Sequence, residues 1–458
     1  METPTDDIDE ELTRILKKLQ EENIQYLNYR FLNILGIPKE ILIPIEGLDK
    51  SEKEELLSEG VAFDGSSIEG YATIEESDLI MKPDLTTFVF VTPRNSKHRT
   101  ADFLCDTFTS RGHPFSGDPR YALRKVIGRY LDRNSVLNVG PELEFFFLKA
   151  FEDLDNPQII LDDREGYFGT NIKFSSQEAK KDIIATCTKM GIPVTTSHHE
   201  VAPSQHEIDL KFTDALTMAD RIVMVKYLTK IIAQEYGLYA TFMPKPKKDI
   251  CGNGMHLHLS VFDVEGANLF FEEGSERYFE LSDLALFFIG GLLEYSTDIC
   301  GILASWVNSY KRLVPGFEAP CYKSWGRENR SVLIRIPAGK GRSKRIELRN
   351  PDPAGCSYLQ LAVILAAGME GVRKKITPPE PTSLDVFGLS AEERAREGIG
   401  CLPNNLFEAL EYLKDSHLVK EVLGEHILES FIHMKMEEWD RYRTEVTNWE
   451  IREYLSIL

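Results

Sequence analysis

The 458-residue sequence has no hydrophobic run of membrane-spanning length; its longest uncharged apolar stretch, residues 284–293, is about half of what a bilayer needs. That argues against a helical membrane protein. Cysteine is scarce. The seven (Cys105, Cys187, Cys251, Cys300, Cys321, Cys356, Cys401) are scattered and form no C-x-x-C pair. This excludes a disulfide framework or a cysteine zinc site and fits a reducing cytoplasm. The first dozen residues are acidic and lack an apolar core, which argues against a signal peptide. Positive charge is in deficit: 53 Lys and Arg stand against 73 Asp and Glu, a net charge of −20. Neither nucleic acid nor a membrane surface is the expected partner. There is no Walker loop, and Gly252-Asn253-Gly254 falls short of a dinucleotide fingerprint. A bound nucleotide must then be held by metals and arginines. Internal repeats and low-complexity segments are absent as well.

What is present is enough chain for a small and a large domain. Residues 8–23 read as an amphipathic helix, with Leu12, Ile15, Leu16 and Leu19 on one side. Short strands are expected at 24–31, 41–44, 61–63, 88–93 and 100–107. Residues 111–119 read as a Gly/Pro linker, and Asp118-Pro119 as the start of a helix to 134. Helices are expected at 178–190, 214–236, 282–304 and 358–375, then over most of 405–458. The class is α+β, with a domain over 1–112 and a larger one over 113–458.

Charge is redistributed within the chain. Residues 308–352 hold seven arginines and four lysines against four acids. These cations are interleaved with Leu, Val, Ile and Pro, which favours an anion pocket over a solvated basic face. Arg335 lies among strand-forming apolar residues and needs an anion as partner. Read as a strand, residues 345–349 put Arg345, Glu347 and Arg349 on one face.

Acids and imidazoles recur two apart. Glu142 and Glu144 sit in the apolar run 140–147, GPELEFFF. His256, His258 and Ser260 alternate in residues 255–260, and residues 197–207 bring Glu200 and Glu207 together across a Pro-containing turn. A lone E-x-E is more often the wet face of an edge strand, but carboxylates on an interior strand are costly without a cation. Five carboxylates and one histidine favour hard divalent ions, Mg²⁺ or Mn²⁺. Two such ions beside arginines suit phosphoryl transfer.

Eight segments together resemble type I glutamine synthetase: residues 63–70, 140–145, 198–207, 243–246, 254–256, 308–318, 329–331 and 345–349 follow the family's order and spacing. The resemblance implies an N-terminal β-grasp domain and a catalytic domain with an antiparallel strand funnel. It implies a homododecamer of two stacked hexameric rings with active sites between subunits. By position, Glu144, Glu200 and Glu207 would hold one metal, and Glu142, His256 and Glu347 the second. Gly252, Arg312, Arg330 and Arg349 would bind glutamate; Phe212, His258, Ser260, Arg335 and Arg345 would line the ATP site. Asp64 and Glu318, with Arg330, would be catalytic. The implied reaction forms glutamine from glutamate, ammonium and ATP through γ-glutamyl phosphate.

The pattern also departs from the family. Cys251 replaces a usual Asn, Thr195 a nucleotide-contacting Glu, Ser204 a Gly, and residues 169–173 a Pro-rich segment. Phe387 stands where adenylylated members carry Tyr, and Thr73 where feedback-inhibited members carry Arg. The alternatives are a γ-glutamyl ligase using another amine, motivated by Cys251 and Thr195, and a non-catalytic structural homologue.

Overall fold

The computed structural model describes residues 4–74, 77–91, 97–150, 158–170, 174–275 and 278–458, with side chains from residue 10 onward. The first sheet has six strands: β1 (Tyr26–Leu32), β2 (Pro38–Pro44), β3 (Val61–Asp64), β4 (Asp78–Pro83), β5 (Val89–Val91) and β6 (Thr100–Thr109). Their order is β2-β1-β6-β4-β3, with β5 also on β6. β1 and β6 run parallel at the centre. β1 is buried along nearly its whole length, whereas the edge strand β2 alternates exposed and half-buried positions. Residues 92 and 93 of the strand expected over 88–93 lie outside the described residues. Two elements were illegible as periodic patterns. The helix Lys50–Glu59 has a single buried side chain, Leu57, but Asp49 and Glu52 form a capping box that marks its start. Strand β4 (DLIMKP) carries Asp, Lys and Pro, which hide its alternation.

Residues 111–119 are not a free linker. Asp118 caps the helix Pro119–Tyr130 through the Arg120 amide and accepts from the Thr107 amide of β6 at 2.8 Å. Buried Arg120 then pairs with Asp84, which follows β4, with Asp106 of β6 and with Asp220 of the helix Ala215–Glu235, at 2.6–2.8 Å. Leu32, Ile34, Val91 and Leu104 continue into the large core. The first sheet is therefore packed onto the rest of the chain.

The second sheet is built on the 15-residue strand β7 (Ser135–Lys149). It adds β8 (Val194–His199), β9 (Gln205–Leu210), β10 (Thr213–Asp214), β11 (Leu238–Thr241) and β12 (Met255–Asp263). The short pair β13 (Tyr322–Lys323) and β17 (Gly400–Cys401) stands apart. Strands β14 (Trp325–Arg327), β15 (Ile334–Ile336) and β16 (Ile346–Leu348) complete the large sheet, in order β14-β15-β16-β12-β7-β9-β8. All its pairs are antiparallel except β14 with β15. Helices cover its apolar face. The helix expected over 282–304 is two, Asp283–Glu294 and Ser296–Leu303, bent by 75°. Among the described residues no single helix is long and apolar enough to cross a membrane. The C-terminal stretch folds as Leu406–Asp415, His417–Arg443 and Asn448–Tyr454, the last started by a Thr447 capping box.

Candidate active site

Strand register places the acids. Glu144 of β7 lies opposite Glu207 of β9, and Glu207 opposite His198 of β8. Glu142 lies opposite Asp209 on one side and His256 on the other. His258 faces Glu347, and Glu347 faces Arg335. Cross-strand neighbours share a face, so three rows of polar groups stand on one side of an otherwise apolar sheet. All of them but His258 line a pocket with Arg312, Glu318, Arg330, Arg349, Cys251 and Gly252 at its rim.

Two groups within the pocket have ligand spacing: Glu142, His256 and Glu347, and His198, Glu200 and Glu207. In the first, His256 Nδ1 stands 3.0 Å from Glu142 and 3.8 Å from Glu347. His258 Nε2 donates to Glu142 at 2.7 Å while its Nδ1 accepts from Arg345 at 3.1 Å, which selects one neutral tautomer. Burial alone would raise the Glu142 carboxyl, but hydrogen bonds from the two histidines hold it well below the usual range. Glu347 is fully buried between Arg349 (2.5 Å) and Arg335 (2.6 Å), the latter an ion pair without hydrogen-bond alignment.

In the second group, and at the adjoining Glu144, no lysine or arginine forms an ion pair with the carboxylates among the described residues; only His198 stands beside Glu200 and Glu207. Burial and the neighbouring acids push Glu207 up to about 12, Glu144 to about 8 and Glu200 to about 7. Buried carboxylates that repel one another are what a divalent cation would neutralise, so the oxygen-rich donor set fits hard ions. Glu144, expected among these ligands, is held by the Gly254 amide (2.8 Å) and Gln205 Nε2 (2.9 Å). His198 takes the third place in the tight group, with Nε2 3.3 Å from Glu207.

Rim residues are held by backbone. Arg312 is buried and donates to the Asn350 and Arg349 carbonyls, both at 2.9 Å. A Cβ on Gly252 would meet the Pro244 carbonyl at 2.1 Å, so this close approach requires glycine. Glu318 is exposed with φ of 58°, just after Gly316 at 91°.

Two family models match: glutamine synthetase, catalytic domain, over residues 116–454, and glutamine synthetase, beta-grasp domain, over residues 23–110. The chain belongs to the glutamine synthetase family. It is 44% identical to the glutamine synthetase of Methanosarcina mazei over 97% of both chains. To that of Thermus thermophilus it is 43% identical, covering 96% of this chain and 98% of the relative. Among solved structures, GmaS in complex with ADP is 28% identical with a TM-score of 0.84, covering 96% of this chain and 99% of that one. Plasmodium falciparum glutamine synthetase matches in fold, with a TM-score of 0.85 at 24% identity over 97% and 98% of the two chains.

Against the glutamine synthetase pattern, Asp64 is the outlier. It lies on the first sheet, exposed, accepting from Ser66 and Ser67, and does not line the pocket of its own chain. Phe212 is half-exposed beside Phe262, outside the pocket lining; Ser260 is nearly buried on the same strand face as His256 and His258. Sequence reasoning passed over Asp209, Gln205 and Tyr167, which line the pocket. Asp209 was findable, since Glu207-x-Asp209 repeats the alternation of Glu142-x-Glu144. Of the departures, Thr195 lies in a β-bulge and its hydroxyl donates to the Asp209 carbonyl at 3.1 Å. Ser204 occupies the left-handed region (φ 65°) that suits the usual Gly. Phe387 packs on Tyr322 and Thr73 is exposed. Residues 171–173 of the 169–173 segment lie outside the described residues.

Proposed function

We propose that the residues of this pocket divide a two-step ligation between them. The family's reaction is the chain's activity: ammonia is joined to glutamate at the expense of ATP, giving glutamine. The observation that supports the division of labour is the pair of carboxylate clusters side by side under an arginine rim. Two Mg²⁺ or Mn²⁺ ions, one on Glu144, Glu200 and Glu207 and one on Glu142, His256 and Glu347, would neutralise phosphate charge and orient the reacting groups. Arg312, Arg330, Arg349 and the Gly252 backbone bind the glutamate end. Arg335 and Arg345 take the nucleotide phosphates, with Phe212, His258 and Ser260 beside them. The glutamate γ-carboxylate oxygen attacks the γ-phosphorus and ADP leaves; ammonia nitrogen then attacks the acyl carbon and phosphate leaves.

The site needs a second chain. Asp64, held ionised by the serine hydrogen bonds that lower its pKa, would be donated by the neighbouring subunit to take the proton of ammonium. Glu318 would close over the intermediate from its glycine-flanked loop and accept a later proton. A ring of heterologous contacts meets this requirement, and the exposed Trp449, Ile451, Leu455 and Ile457 at the C-terminus supply an apolar surface for stacking two hexamers. Seven free thiols are in keeping with a cytoplasmic enzyme. Phosphate release from Mg-ATP and glutamate, measured with and without ammonium, tests the reading. Strong dependence on ammonium is expected; release that needs a larger amine instead would move the chain to the alternative ligase activity.

A further inference from the structure

Behind the carboxylate pocket lies another cluster that the ligation does not use. Asp163, His199 and His206 are all buried, and one donor atom from each lies within 4.8 Å of the others. His199 Nε2 is 3.0 Å from Asp163 Oδ1, and His206 Nε2 is 3.9 Å from Asp163 Oδ2. Three features point to a ligand. His206 is fully buried, yet neither ring nitrogen has a hydrogen-bond partner among the described residues. An imidazole left bare in a protein interior is costly. His199 faces acceptors on both sides, with Nδ1 2.7 Å from the Glu200 carbonyl. With Nδ1 on that carbonyl, the ring is oriented so that Nε2 points at Asp163 Oδ1. A ring N–H on a backbone carbonyl is also the usual outer support of a metal-bound histidine. The carboxylate is itself fixed: Asp163 Oδ1 accepts from the Ser204 amide at 2.8 Å, and the Asp163 amide donates to Ser204 Oγ at 2.8 Å.

We propose that Asp163, His199 and His206 form a third cation site, buried, for a transition-metal ion of the zinc class. Two imidazoles and one carboxylate select such an ion over Mg²⁺. It would tie residues 199–206 to the segment at 163, and so brace the hairpin that carries Glu200 and Glu207. Zinc bonds of about 2.0–2.2 Å require the two histidines to draw in slightly around the ion. The test is made on the intact assembled enzyme, produced with added zinc and dialysed against EDTA and excess Mg²⁺. About one zinc per chain is expected to remain. An anomalous difference peak at the zinc edge should lie among the three side chains. His206→Gln should lose the metal, and the exposed-site control His433→Gln should keep it. Zinc below about a tenth of an equivalent, equal zinc in His206→Gln, or a peak confined to the carboxylate pocket would each overturn the proposal. If His206→Gln fails to assemble, the position of the peak in the unmodified enzyme decides alone.

Discussion

Ser204 and Cys251 are departures with different physical content. Ser204 holds a left-handed backbone and compensates through three hydrogen bonds with Asp163: its amide donates to Oδ1, its Oγ accepts from the Asp163 amide, and its hydroxyl donates to the Asp163 carbonyl at 3.3 Å. Ser204→Gly relieves about 1 kcal/mol of strain but strands the buried Asp163 amide that the hydroxyl satisfies, so its net cost should be about 0–2 kcal/mol. Ser204→Ala keeps the strain and strands a buried amide, and should cost about 1–3 kcal/mol in denaturant unfolding at fixed subunit concentration. Cys251 lines the pocket half-buried; burial, with Glu318 and Glu144 nearby, pushes its thiol up to about 11, so it stays a neutral, weak hydrogen-bonding group. Cys251→Asn should lower the glutamate KM about threefold to tenfold with little change in kcat, consistent with one neutral hydrogen bond. An unchanged KM would mean that the Gly252 backbone suffices. The acids of the site were readable individually because carboxylates in an apolar run are anomalous. His198 as partner of Glu200 and Glu207 was not, since a His-His-Glu string does not say which side chain faces the pocket.

At the scale of elements, β7 and its neighbours line up carboxylates that only a cation makes comfortable. In the metal-free protein Glu200, Glu144 and Glu207 sit at about 7, 8 and 12, raised by burial. A raised folded-state pKa contributes stability that is complete below the unfolded value near 4 and is lost as pH rises through the folded one. The unfolding temperature of metal-free enzyme should therefore fall from about pH 5 to about pH 8, most steeply below about pH 7 where all three acids contribute, and the increment from saturating Mg²⁺ should grow over the same range. A pH-independent increment would refute this coupling. Helix packing gives a second expectation. The helices Asp283–Glu294 and Ser357–Lys374 touch through glycines: a Cβ on Gly371 would meet the Phe287 carbonyl at 2.2 Å. Gly371→Ala must part the helices and should cost about 1–3 kcal/mol or more in denaturant unfolding. Both helices were legible from their apolar pattern, but glycine in a helix reads as a weak propensity, and its role as a contact appears only when the partner backbone is placed against it.

At the scale of the whole molecule, Asp64 and the arginine rim belong to different subunits in the proposed assembly. Asp64→Ala and Arg349→Ala enzymes should each be inactive. Co-assembled at equal ratio, they should recover activity in about a quarter of sites, because random mixing leaves that share with both residues intact. No recovery in mixed rings verified by mass spectrometry would mean that each chain completes its own site.

The sequence by itself determined the α+β class and picked out most polar groups of the pocket, Asp209, Gln205 and Tyr167 excepted, because alternation along a strand is a local property and pairs such as Glu142 with Glu144 and His256 with His258 each lie within one strand. It also carried the family through eight motifs in order. What the tertiary structure decided is which strands lie side by side. Register brought Glu144 to Glu207 and Glu142 to His256, closed the supposed linker with the Arg120 ion network, and turned His206 inward toward Asp163. These are contacts between residues far apart in the chain, set by how the buried faces of sheet and helices fill one core, and no local pattern encodes them.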